Sequence, residues 1–499
     1  MTGKRSLPGP ISILMIIIIM AAIATWLIPA GQYNRLSVND DVFEMTTANG
    51  TVRLPLTQHT LDSLDIHIAL ANFQNGSIRK PISVPGTYHT LEKNPQGIIS
   101  ILQAPVKGIY DSIDIILFIL VLGGFISVFN ESGAMLKGLA VLSHRMKGKE
   151  SWLIIILTFL FSFAGSSYGM AEEAIAFYPV LVPLFLAAGY DLLVPVAVMF
   201  GGTQLGTLSS FSNPFSTIVA STAAGVNWRD GLYERLLVFG VSTLLYIIYI
   251  VRYAQKVKKD PGASIVFKID GPVKPPYEIL TTGTTETPTL DLRSRLLLLL
   301  FLFSFLVMIG GVIALDWWLP EMTALFIAVS IITAVLLRMR EKIFMQQFIK
   351  GAESLLTVAF IVGVARGVTI VMNEGNISDT ILYYAANGVQ NFPAPVFILL
   401  ILGMYLLFTL FISSSSGMAM LTMPIIGALA IFANVPGREL VNAYLYGMGI
   451  MGFITPTGLI LPSLGLVNVS LKSWLRFMYP LMIIFFLVFA AFLIAGIYL

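Results

Sequence analysis

Residues 164–173 read AGSSYGMAEE, and residues 412–421 read ISSSSGMAML. Each stretch is a run of small residues set between apolar segments. The flanks are 151–165 and 172–188 in the first case, and 394–412 and 418–433 in the second. In water such a run is an ordinary turn. In hydrocarbon, broken backbone is tolerated only where protein or water satisfies its N–H and C=O groups. The apolar flanks place both runs at membrane depth. Both are read as re-entrant hairpins with tips near the midplane; for either one alone, a tight turn between ordinary helices is the competing reading.

The remaining sequence fits a bilayer. Of 499 residues, 56% are hydrophobic and 11% charged, against about 25% charged in a soluble domain. Apolar runs long enough to span, roughly 17–25 residues, occur at 11–30, 111–130, 234–251, 294–315, 321–337, 353–372 and 477–498. The run 11–30 is read as a retained first helix, not a cleaved signal. Two stretches, 192–224 and 440–471, are too long for one straight span. Pro214 and Pro456 interrupt them and lack a backbone N–H, which predicts helices with unwound centres. A polar loop covers 31–95, and a charged loop 252–289. The expectation is an all-α polytopic membrane protein with about nine full spans and two hairpins.

Composition also excludes. A net charge of +3 gives no footprint for nucleic acid. Without cysteine there are no disulfides and no thiol chemistry. The four histidines (His59, His67, His89 and His144) lie in loops and form no HExxH or other ligand spacing. Walker A is absent, which argues against an ATP-driven pump. No enzyme, metal cofactor or prosthetic group is expected.

The two halves share an order of features: span, short amphipathic helix, hairpin, broken helix, closing span. Lys107-Gly108 aligns with Lys350-Gly351 (350 − 107 = 243). Gly124 with Gly367, and Asn130-Glu131 with Asn373-Glu374, keep that offset. Basic residues favour the cytoplasmic side. Lys4 and Arg5 place the N-terminus inside, as Lys137, Arg145, Lys147 and Lys149 place 133–150. The first hairpin then enters from the cytoplasm and the second from outside. The units are a first inverted repeat, 1–252, carrying the extracytoplasmic loop 31–95; a cytoplasmic linker loop and linking helix, 253–320; and a second inverted repeat, 321–499. Inverted repeats with broken helices at the midplane mark secondary transporters.

Several motifs resemble one family. TWLIPAGQY (25–33), VPGTYH (84–89), YGMAEEAIAFYPVLVPLFLAAGYD (168–191), SNPF (212–215), SSSSGMAMLTMP (413–424) and ITPTGLIL (454–461) are similar to the YfcC/ArcD-type branch of the DcuC-like carriers, within the ion-transporter superfamily. The resemblance covers nearly the whole chain except 36–80 and 255–290. It implies elevator-type scaffold and transport domains, a homodimer, coupling to Na⁺ or H⁺, and residence in the bacterial cytoplasmic (inner) membrane. It also implies basic amino acids, four-carbon dicarboxylates or other small organic ions as substrates. This chain departs from the pattern at Met418 and at GIMGF (449–453), where the family is often more polar.

Candidate binding residues follow from these features. Ser166, Ser167 and Gly169 form the first tip, and Ser413, Ser414, Ser415, Ser416 and Gly417 the second. Serine offers a donor and acceptor on a short arm, and the free N–H groups of a half-helix N-terminus favour a carboxylate. Close helix packing by small residues is the bland alternative. Glu172 and Glu173 follow the first tip, and a carboxylate in the membrane is costly unless paired, hydrated or neutralised. The second hairpin carries Met420 and Leu421 there, so the charge is one-sided. Such a site suits a zwitterion or cation better than a dianion. Ser212, Asn213, Thr455 and Thr457 mark the unwound centres. Of these, Ser212, Asn213 and Thr455 are candidate Na⁺ ligands, with a ligand-free proline kink as the alternative. Gln204, Thr207, Ser209 and Ser210 are weaker candidates. Arg366 is expected to pair structurally, with Glu353 or Glu374, contact to a substrate carboxylate being the alternative, while Asp111 and Asp114 are expected to be solvated. The functional expectation is a secondary active carrier or exchanger of amino acids, basic ones favoured. Four-carbon dicarboxylates are the runner-up, and a channel the weaker reading.

Overall fold

The computed structural model describes residues 10–498 except 40–41, 49, 67, 75–80, 136, 139–140, 142–148, 168, 274–289, 316, 318, 390–391, 413 and 434. Helix α1 is Pro10–Leu27, α2 Ile98–Asp111, α3 Ile113–Asn130 and α4 Glu150–Ser167. A 3₁₀ turn, Glu172–Phe177, leads into α5, Tyr178–Ala187. Helix α6 runs Leu193–Leu208 and contains a widened π turn. After an interruption comes another π turn, Pro214–Ile218, and α7, Val219–Ala223. There follow α8 (Leu232–Lys259), α9 (Leu292–Leu315), α10 (Leu319–Leu336), α11 (Glu341–Glu374) and α12 (Ser378–Val389). The chain closes with α13 (Ala394–Thr409), α14 (Ser415–Phe432), α15 (Gly437–Gly452), α16 (Ile460–Gly465) and α17 (Leu471–Tyr498).

By length and composition, seven described helices can cross a membrane: α1, α3, α4, α8, α10, α11 and α17. Their outward faces carry Ile16, Met20, Leu117, Phe159, Leu244, Ile331 and Leu487, all exposed from the protein. Lipid accounts for them; water would not. The expected breaks at 214 and 456 are present: helix stops at Leu208 and again at Gly452. Segment 133–150 lies partly outside the described residues.

Two expectations need correction. The stretch 31–95 is not plain loop, so the chain is helical with a small β unit and not all-α. Strands β2 (Arg35–Asn39), β3 (Val42–Thr47), β4 (Gly50–Pro55) and β5 (Ile82–Ser83) form an antiparallel sheet in the order β4-β3-β2-β5. Leu36, Phe43, Leu61, Ile82 and Val84 are buried beneath it. Asp379, in the first turn of α12, anchors this unit: it receives both Arg35 Nη2, at 2.8 Å, and the Tyr33 N–H, at 2.9 Å. Tyr88 stacks on Tyr383 with ring centroids 4.0 Å apart. The other concerns residues 98–111, left without an element between the loop and the span at 111–130: they form α2, whose apolar pattern is interrupted by Pro105 and Lys107.

Helix α11 is the hub of one helix group. It has 34 residues, about 51 Å of rise, well beyond the ~30 Å hydrocarbon core. Helices α1, α2 and α3 pack along it, and α10 packs on α3. Glycines permit the approach. A side chain at Gly108 of α2 would meet the Gly363 carbonyl and, at 2.8 Å, the Gly367 nitrogen of α11. One at Gly351 of α11 would run into the Gly123 carbonyl and, at 2.6 Å, Ser127 Cβ of α3. Bare backbone on both sides replaces side-chain interdigitation. In the other group, α6 and α8 pack on α4, α13 packs on α15, and α17 packs on both α13 and α15. Helices α6 and α15 meet, and α16 touches α11.

Replacing Gly351 by leucine should push α3 off α11 and cost about 1–3 kcal/mol. A lowered thermal unfolding midpoint in detergent reports it. Gly403→Ala, where an added Cβ meets nothing within 4 Å, should leave the midpoint in place; equal effects would refute the packing argument.

Candidate functional site

Helix α4 ends at the first tip, and its last carbonyls have no partners within the helix. The interruption after α6 supplies them. Asn213 Nδ2 donates to Gly165 O at 3.0 Å. The Ser212 N–H donates to Ser166 O at 3.2 Å, and Ser212 Oγ donates to Ser167 O at 3.1 Å. In return Ser166 Oγ donates to Ser209 O at 2.9 Å and accepts the Phe211 N–H at 3.1 Å. Asn213 Oδ1 accepts the N–H groups of Phe215, 2.8 Å, and Ser216, 3.2 Å, capping the next turn. Ser210, Ser216 and Thr217 close a buried hydroxyl cluster; the Ser210 and Thr217 hydroxyls lie 2.5 Å apart. Gly169 takes φ +87°, a left-handed turn that a side chain would strain, and a Cβ there would sit 2.7 Å from Asn213 Oδ1. Ser167 Oγ donates to its own helix, at Phe163 O, 2.7 Å.

The second tip repeats the arrangement with different residues. Thr455 Oγ1 donates to Thr409 O at 3.2 Å, and Thr457 Oγ1 to Leu410 O at 3.2 Å. The two threonine hydroxyls are 3.0 Å apart. Ser414 Oγ accepts the Gly417 N–H at 3.2 Å, and Ser415 O accepts the Tyr444 hydroxyl at 2.8 Å. Residues 414–417, Ser416 included, are half-buried; Ser413 lies outside the described residues.

Helix α11 reaches both tips. Thr369 Oγ1 donates to Phe411 O of the second tip at 3.0 Å. Arg366 lies within electrostatic reach of Glu172, which follows the first tip. The two residues are three positions apart on α11, about 4.5 Å along its axis. Arg366 pairs with Asp111 at 2.5 Å, across the α2–α3 break. This corrects one expectation: the partner is neither Glu353 nor Glu374; Asp111 is exposed, as expected, while it holds Arg366. Glu374 instead receives Lys107 Nζ at 2.6 Å. Asp114 also lies within electrostatic reach of Glu172. Glu173 is buried and accepts the Ala171 N–H at 2.9 Å.

The predicted residues therefore divide. Asn213, Ser212, Ser166, Thr455 and Thr457 hold helix ends. Glu172 and Ser414, Ser415 and Ser416 are half-buried and cap no helix end of the other hairpin in the hydrogen bonds described above. For Na⁺ the hydroxyls of Ser212 and Thr455 keep acceptor lone pairs, whereas both lone-pair positions of Asn213 Oδ1 are used. A cavity of about 240 Å³ beside the second tip, lined by Ala21, Met372, Ile381, Leu407 and Phe411, is apolar and contains none of the predicted residues. Sequence reasoning missed the pairing of Asp111 with Arg366, because no local pattern joins positions 255 residues apart.

Comparison with known proteins follows this geometry. The family model described as DcuC, C4-dicarboxylate anaerobic carrier, matches residues 7–498. An uncharacterized protein of Haemophilus influenzae is 39% identical over 478 residues, covering 95% of this chain and 94% of that one. The putative basic amino acid antiporter YfcC of Escherichia coli is 27% identical over 493 residues, covering 95% and 93%. The crystal structure of the Alcanivorax borkumensis YdaH transporter aligns over 98% of each chain, at 14% identity and a TM-score of 0.38.

Asn213→Leu deletes three hydrogen bonds and leaves buried groups unpaired, each costing about 1–3 kcal/mol. The expected result is a lower unfolding midpoint with no substrate present. Unchanged stability with lost substrate binding would instead make Asn213 a ligand and not a cap.

Proposed function

The chain belongs to the DcuC family of C4-dicarboxylate anaerobic carriers, and we propose that this transporter carries amino acids, basic ones favoured, as a secondary active carrier or exchanger. The observation behind this reading is the charge around the first tip. Asp111 pairs with Arg366, Arg366 and Asp114 both lie within electrostatic reach of Glu172, and Glu173 follows Glu172 in the chain. The carboxylates outnumber the one arginine. The second tip shows backbone and hydroxyl groups only. A substrate with a cationic side chain or ammonium group is drawn to the acidic side. Its carboxylate finds N–H groups and serine hydroxyls at the start of α14. The name of the Escherichia coli relative, a putative basic amino acid antiporter, points the same way.

Dicarboxylates are the second reading, supported by the family description and by one group. Arg366, if released from Asp111, offers a cation to a carboxylate.

Motion is read from the packing. Residues 98 and 341 begin α2 and α11 (341 − 98 = 243), the same offset as Gly108 to Gly351 (351 − 108 = 243). Gly108 rests on Gly367, while Gly351 rests on Gly123, beside the aligned Gly124. This exchange of contacts supports two inverted repeats. We assign α1, α2, α3, α10 and α11 to a scaffold, and the tips with α6, α8, α15 and α17 to a unit that moves against it as an elevator. The proposal includes two re-entrant hairpins, a homodimer, coupling to Na⁺ or H⁺, and an inner-membrane setting with a cytoplasmic N-terminus.

In liposomes the purified protein should exchange labelled arginine for internal arginine with saturable kinetics, and succinate should compete poorly. Glu172→Gln should lower arginine exchange about tenfold, roughly 1.4 kcal/mol. Succinate exchange without arginine exchange rejects the amino-acid reading; current at channel rates rejects the carrier.

A further inference from the structure

The apolar cavity beside the second tip, about 240 Å³, lies where α1 and the α11–α12 corner meet the end of α13. Ala21 and Ala24 belong to the first wall, Met372 and Ile381 to the second, Phe408 and Phe411 to the third. Among the described residues, Ser378 is the one polar side chain in the lining, and its hydroxyl donates to Asn373 Oδ1 at 3.0 Å. A buried water needs several polar partners, and one committed hydroxyl does not supply them. The natural content is therefore apolar. A dry cavity of about 150 Å³ already holds benzene.

Fixed points outside the lining set the spacing of the walls. On α1, Thr25 packs against Gly375, where a side chain would collide with it. Thr25 Oγ1 accepts the Gln96 N–H at 2.8 Å, and the Gly31 N–H donates to Asn376 O at 2.9 Å. On the far side the Thr369 hydroxyl of α11 holds Phe411 O at 3.0 Å.

The cavity adjoins lipid. Helix α1 turns Met20, Ile23 and Leu27 outward. Ala21, Ala24 and Ile28 of the lining are each the next residue, on the adjoining face. Helix α13 shows an outward stripe at Val396, Leu400, Gly403 and Leu407, spaced by steps of three and four that keep to one face. Leu407 ends that stripe and also lines the cavity. The lipid-facing surface thus runs inward between α1 and α13.

We propose that this cavity is a lipid site that takes one acyl chain of a membrane phospholipid. Lipid tails already sit in hydrocarbon, so hydrophobic transfer does not drive entry. Dispersion does: the lining of an unfilled space has no partner atoms on its inner side, and chain methylenes provide them. Phe411 joins the site to the second tip, because it lines the cavity while its carbonyl accepts Thr369 Oγ1. The chain wedges α13 against α1 and α11, on the seam between the second hairpin and the scaffold assigned above. The site itself rests on packing alone and holds whichever substrate is carried and whichever unit moves.

Photolabelling tests it, in vesicles of phosphatidylethanolamine and phosphatidylglycerol with a trace of phospholipid bearing a diazirine midway along one acyl chain. Adducts are mapped by peptide mass spectrometry. Leu117 and Leu487, on outward faces, should be labelled in every case. Met372 and Phe408 are buried from the bilayer, so adducts there report a chain inside the cavity. Wild type should carry them. Ala24→Phe fills the space and Leu407→Trp crowds its mouth; each should lose the Met372 and Phe408 adducts and keep the outward ones. Wild-type adducts confined to outward faces overturn the proposal, as do Met372 and Phe408 adducts that survive both substitutions. The chain has no cysteine of its own, so Ala24→Cys supplies a single thiol for a second readout. That thiol should resist a water-soluble maleimide in vesicles and react once the protein is unfolded. Rapid reaction in vesicles would make the space a water-filled crevice and overturn the lipid site.

Discussion

A bilayer offers no water to a broken helix, and that single constraint organises the centre of this molecule. Every carbonyl or N–H exposed by an interruption must find a partner inside the protein. The partners come in pairs of elements. Where α4 stops, residues 209–213 cap it; where α13 stops, Thr455 and Thr457 cap it. Each break is thus solved by another break. Neither helix end would be stable if its counterpart were a continuous helix, because a continuous helix has no spare donors.

Charge obeys the same economy. The chain keeps few ionisable groups in its apolar part, and those it keeps are neutralised in small sets. Arg366 has Asp111, and Lys107 has Glu374. Glu439 has Arg438 and Asn442. Glu172 differs: its charge is balanced at a distance, by an arginine already committed to another acid. That carboxylate follows the turn at which Gly169 takes its positive φ, and the proposed preference for a cationic group rests on it.

Parts of this arrangement were legible in the sequence, for identifiable reasons. Pro214 and Pro456 announced the two breaks because a missing N–H acts locally. The Gly/Ser runs announced the tips because their flanks are apolar. Helix α2 escaped notice because Pro105 and Lys107 divide its apolar face. The sheet in 31–95 escaped because its strands are short and themselves contribute only Leu36, Phe43 and Ile82 to the apolar core named above. The pairing of Arg366 with Asp111 could not be read at all, since 366 − 111 = 255 positions separate them. Nor could the division of labour among Ser166, Ser212, Asn213 and the second-tip serines. Residue type alone does not say whether a hydroxyl faces a carbonyl or a cavity.

The crossed packing of α11 with α2 and α3 bears on how the chain is made. Synthesis runs from the N-terminus, so α2 and α3 are made well ahead of the glycines that complete them (367 − 108 = 259; 351 − 123 = 228). Until α11 arrives, the bare backbone at Gly108 and Gly123 faces lipid or a temporary neighbour. A nascent chain halted in the central loop has built α2 and α3 and still lacks α11, the surface that seats them. Quality control at the membrane therefore meets this protein as an open half for much of its synthesis. A side chain at Gly108, Gly123, Gly351 or Gly367 would obstruct that closure before any substrate is carried.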